Sequence, residues 1–67
     1  MKKVLTTRER EVFELLVKNY TTRDISDKLY ISEKTVRNHI SNLMQKLGVE
    51  TRTAAVIELF KINELSF

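Results

Sequence analysis

Residues 31–48 read ISEKTVRNHISNLMQKLG. Lys34, Arg37, Asn38, Ser41 and Gln45 in this stretch carry the donors and acceptors that pair with phosphate oxygens and with base edges. On a helix at about 100° per residue, Lys34, Asn38, Ser41 and Gln45 share one side, with Arg37 on one flank and Thr35, Asn42 and Lys46 on the other. Val36, Ile40, Leu43 and Leu47 fall opposite, within a sector of roughly 60° that needs a core. From residue 34 to residue 49 there are three Lys and Arg cations and no acid. A plain solvated face is the alternative reading. Such faces favour Glu/Lys pairs at i, i+4, whereas this one offers Arg, Asn, Ser and Gln, the side chains suited to nucleotide edges.

The elements that must hold this face are legible around it. Ser32 is a good N-cap, Glu33 suits the positive end of the helix dipole, Lys46 suits the other end, and Gly48 can take the left-handed conformation that stops a helix. Upstream, residues 21–29 (TTRDISDKL) form a short helix opened by a Thr21/Asp24 capping box, with Ile25 and Leu29 facing inward and Ser26 small enough for a close crossing. Tyr30 and Ile31 leave only a tight link. Two helices joined in this way make a helix-turn-helix unit, whose second helix enters the major groove. Thr21, Thr22 and Arg23 at the start of the first helix can clamp a phosphate, or serve merely as a cap with a surface arginine.

The rest of the chain supplies the scaffold. Thr6 with Glu9 forms a capping box, after which Val12, Phe13, Leu15 and Leu16 make an apolar stripe that ends near Asn19. Val4 and Leu5 are expected at the core edge, and Lys2 and Lys3 on a solvated terminus or a phosphate. Thr51 caps a last helix that is too apolar for one buried face. Ala55, Val56 and Leu59 form one stripe, while Ala54, Ile57, Phe60 and the stem of Lys61 form a second that suggests self-association. The alternative is a small irregular core that absorbs Phe60 and leaves only Ile57 exposed. Asn63 stands where a helix stop is expected, with Leu65 and Phe67 packed back.

Composition narrows the function classes. With 67 residues, a formal charge of +3 and no cysteine, the chain is expected to be a single domain over residues 1–67 in a reducing compartment. No apolar run is long enough for a membrane span or a signal peptide. A single histidine, His39, lies beside the apolar sector of its helix, where packing or a phosphate contact suits it better than base catalysis. With no Gly-rich phosphate loop, no HExxH and no cysteine nucleophile, neither an enzyme nor a metal site is expected.

Three stretches, LTTREREVFELL (residues 5–16), TTRDISDKLYISEKTVRNHISNLMQKLGV (residues 21–49) and TRTAAV (residues 51–56), resemble the LuxR-type (GerE-type) helix-turn-helix regulators of bacteria. The resemblance covers nearly the whole chain. It implies an all-α fold of four helices, about residues 7–18, 22–29, 33–47 and 52–62, with the third in the major groove and the fourth commonly forming a dimer contact. By matching position it implies base reading by Arg37, Asn38 and Ser41. Lys34, which shares their face, is expected at the bases or the adjoining backbone, Thr35 and Lys46 on the backbone, and Arg52 and Thr53 as a phosphate clamp. Asn42 and Gln45 complete the expected phosphate contacts.

Asn19 and Asn63 depart from the family pattern, in which glycine is common at these places, and Tyr30 stands where generic helix-turn-helix units favour glycine. Most relatives carry a receiver or ligand-binding domain ahead of this module, and here only five residues precede it. If these residues are the full chain, the resemblance implies a stand-alone cytoplasmic, nucleoid-associated regulator of sporulation genes, spore-coat genes among them; otherwise they are an excised domain. Its expected partners are double-stranded DNA, a second copy joined through Ala54, Ile57, Phe60 and Lys61, and RNA polymerase if it activates, with no cofactor, small-molecule ligand or membrane. The competing expectation is a helical module that binds another protein and never touches DNA.

Overall fold

The computed structural model describes residues 5–62, which form four helices: α1 (Thr7–Val17), α2 (Thr22–Leu29), α3 (Glu33–Leu47) and α4 (Arg52–Lys61). Their limits match the sequence expectation except that α1 and α4 each stop one residue earlier. The expectations for Lys2, Lys3, Val4, Asn63, Leu65 and Phe67 lie outside the described residues. Among the described residues no helix is long and apolar enough to cross a membrane.

Each helix starts on a hydroxyl cap. Thr6 Oγ1 accepts from the Glu9 amide at 3.2 Å while Glu9 Oε1 accepts from the Thr6 amide at 3.0 Å. Thr21 and Asp24 form the same reciprocal pair at 3.1 and 3.2 Å. Ser32 accepts from the Thr35 amide and Thr51 from the Ala54 amide, each at 3.0 Å. These bonds satisfy amides that the helix cannot pair internally.

The first three helices end on one device. Asn19 (φ 72°), Tyr30 (φ 57°) and Gly48 (φ 69°) are all left-handed. In each case the next amide reaches back to a carbonyl of the last turn: Tyr20 to Leu15 at 3.2 Å, Ile31 to Ser26 at 3.1 Å and Val49 to Met44 at 3.1 Å. This is the geometry of a Schellman stop. Asparagine and glycine enter that conformation at little cost, whereas tyrosine has no local compensation, and Tyr30 is 94% exposed.

The core is built around α3, which packs against α1, α2 and α4. Val36, Ile40 and Leu43 on its inner side meet Val12 and Phe13 of α1, Ile25 of α2, and Ala55 and Leu59 of α4 in one buried cluster, with Leu5 at its margin. Ser26 is buried, and its hydroxyl donates to the Arg23 carbonyl at 2.7 Å, so this small inner residue of α2 also has its polar atom satisfied. Leu47, Leu29, Leu15 and Leu16, expected inside, are half-buried and line the margin.

The second stripe of α4 is narrower than the sequence suggests. Phe60 is half-buried and packs against the core rather than standing open. Ile57 is left 50% exposed, flanked by half-buried Ala54 and exposed Lys61. The cause is geometric: in a ten-residue helix on so small a core, both edges of the inner stripe can touch the neighbouring helices.

Candidate nucleic-acid interface

α3 divides its residues by side. Val36, Ile40 and Leu43 are buried, while Lys34, Arg37, Asn38, Ser41, Asn42, Gln45 and Lys46 are all exposed. Thr35 is half-buried, and its hydroxyl lies 2.9 Å from that of Ser32, so the two hydroxyls share one hydrogen bond at the start of the helix. His39 is half-buried on the same flank. On α2 and its cap, Thr21 and Arg23 are exposed and Thr22 is half-buried; at the start of α4, Arg52 and Thr53 are exposed. Among the described residues Lys34, Arg23 and Arg52 have no acidic partner, which leaves their charge available to an outside anion.

Lys46 differs. Its ammonium donates to both oxygens of Glu9, at 3.0 and 3.2 Å, across 37 positions of sequence. The Glu9 side chain is only 4% exposed and that of Lys46 is 44% exposed. Glu9 thus has two roles, capping α1 and tying its start to the last turn of α3, and only the first is visible in the local pattern. The expectation that Lys46 serves as a backbone-facing cation needs this amendment: its charge is already matched, and an approaching phosphate would have to share it.

Burial pushes the Glu9 carboxyl up, but the Thr6 amide, the Lys46 ammonium and the Thr6 hydroxyl together pull harder, and the group titrates below its ordinary value. A carboxyl held lower in the folded than in the unfolded chain stabilises the fold fully above the ordinary carboxylate range. It loses that contribution as pH falls from about 5 through the folded value. Glu9→Gln keeps the cap and removes the charge. It is expected to lower stability at pH 7 by about 1 kcal/mol, discounted for the exposed lysine, with the deficit shrinking toward pH 3. Urea unfolding of both proteins across that range measures it, and a deficit that does not change with pH contradicts the ion-pair account.

A second ion pair lies on the exposed side of α3, where Arg37 Nη1 stands 3.8 Å from Glu33 Oε1, one helical turn away. The i, i+4 spacing was available to sequence inspection, although Glu33 at the helix start is first read as a dipole partner.

Comparison with known proteins decides what this arrangement belongs to. The profile of the luxR family of bacterial regulatory proteins matches residues 3–59. The chain belongs to the luxR family. Members share this helix-turn-helix, and the chain is accordingly a DNA-binding transcription regulator. Within the luxR family it is 66% identical over 64 residues to the spore germination protein GerE of Bacillus subtilis, covering 96% of this chain and 86% of that protein. It is 53% identical over 58 residues to the transcriptional regulatory protein DegU of Brevibacillus brevis, covering 87% of this chain and 25% of DegU. The solved structure of the transcription factor GerE superposes with a TM-score of 0.94 at 62% identity, covering 97% of both chains. The four-helix LuxR-type fold expected from the sequence is thereby confirmed.

Proposed function

We propose that the chain is a sequence-specific, homodimeric regulator of sporulation genes that acts on the bacterial nucleoid in the cytoplasm. Each subunit lays α3 in a major groove of a two-fold or pseudo-two-fold site, and α4 joins the subunits. The observation that carries this reading is α3 itself: one side buried to the last atom at Val36 and Leu43, the other an exposed run of Lys34, Arg37, Asn38, Ser41 and Gln45. Arg37 has the fork to pair with guanine and Asn38 the amide to pair with adenine, each worth about 1 to 3 kcal/mol of discrimination. Ser41 and Lys34 complete the base-facing group. Thr21, Thr22, Arg23, Thr35, Asn42, Gln45, Arg52 and Thr53 set the register on the backbone, with Lys46 shared between Glu9 and a phosphate. The spore germination protein GerE supplies the sporulation context, and RNA polymerase is the further partner where the regulator activates.

The test begins with selection of bound sites from random duplexes, followed by titration of the selected and a random duplex with Arg37→Ala and Arg52→Ala. Arg37→Ala should lose about tenfold to a hundredfold of preference and little random-DNA affinity. Arg52→Ala should weaken both duplexes alike and flatten the log affinity against log salt slope by about 0.9. Equal losses on both duplexes from both variants would remove Arg37 from the bases.

A further inference from the structure

Among the fifteen residues of α3 there is one carboxylate, Glu33, and one guanidinium, Arg37, and the fold sets them 3.8 Å apart. Both side chains are about half exposed, at 48% and 56%, so the pair contributes little to the fold. An acid on a surface that meets a polyanion works against affinity. Lys34, Arg23 and Arg52 have no acidic partner among the described residues, and the acid that holds Lys46 comes from α1. On the reading side of α3 the negative charge therefore stands against one side chain, the one with the fork geometry for guanine.

At 3.8 Å the contact is an ion pair without a hydrogen bond, so Glu33 steers Arg37 by charge and consumes none of its five donors. A phosphate competing for Arg37 meets the repulsion of that carboxylate. A guanine edge, which is neutral and offers two acceptors, does not meet it to the same degree. We propose that Glu33 is a specificity-determining residue that holds Arg37 for base edges and against phosphates. This inference rests on the base-reading role of Arg37 described above.

The experiment titrates Glu33→Gln, Arg37→Ala and the double variant with the selected and the random duplex over a range of salt, each variant first shown by circular dichroism to be folded. Glu33→Gln should raise affinity for random DNA, steepen its salt slope by up to about 0.9, and lower the selected-to-random ratio about threefold to tenfold. The double variant should have the ratio of Arg37→Ala alone, because Glu33 acts through Arg37. If Arg37→Ala lowers the ratio but Glu33→Gln leaves it unchanged, the role of Glu33 is overturned and the base reading stands. If Arg37→Ala itself leaves the ratio unchanged, the base reading falls and the inference with it.

Discussion

Phe13→Ala should cost about 3 to 5 kcal/mol and leave much of the chain unfolded near 25 °C. Phe13 is fully buried and heads the large side chains of the core that α1 shares with α3. For a domain of this length the whole stability is on the order of 3 to 10 kcal/mol, so the cavity removes a large part of it. No disulfide exists to limit the loss, since the chain has no cysteine. Thermal unfolding followed by far-ultraviolet circular dichroism measures it, with a drop of more than about 12 °C expected. A loss below about 1 kcal/mol would mean that α1 is not packed on α3 as described.

If the chain pairs through α4 as proposed, Ile57→Asp should convert that dimer into a folded monomer whose affinity for a full two-fold site falls about a hundredfold or more, while half-site affinity is nearly unchanged. Ile57 is half exposed in the single chain, so the fold loses little when it becomes polar. In a two-fold seam through α4 the same change places two carboxylates against each other in an apolar contact, where neither has a partner. The second α3 then no longer binds as if tethered beside the first, and the effective concentration that couples the half-sites is lost. Sedimentation equilibrium with titration of full and half sites reads both effects. Unchanged mass and unchanged full-site affinity would reject α4 as the seam.

How much of this was visible in the residues depends on the range of the physics involved. Thr6 with Glu9, Thr21 with Asp24, Ser32 with Thr35, and Gly48 are local devices closed within a few positions. They set the helix limits almost to the residue. The separation of α3 into Val36, Ile40 and Leu43 inside and Lys34, Asn38 and Ser41 outside follows from helical period alone. The Glu9–Lys46 pair was not legible, because nothing in a local pattern says which of many acids will lie beside Lys46 once the chain has folded. Phe60 was ambiguous for a related reason: α4 carries two apolar stripes, and only the positions of the neighbouring helices decide how far each is covered. Tyr30 lies between these cases. Its place in the turn was evident, and its left-handed backbone shows that the turn keeps its shape even where a bulky residue resists it.

The position of α3 at the middle of the core has a consequence for binding thermodynamics. A recognition element on a loop must be immobilised when it meets its target, and that ordering subtracts from affinity. Here the backbone carrying Arg37, Asn38 and Ser41 is anchored by the three other helices. Amides anchored in this way are expected to open only with the whole domain. On the proposed placement of α3 in the groove, the entropy of shaping the probe is therefore lost once, during folding, and encounter with a duplex leaves mainly the side-chain rotamers to settle.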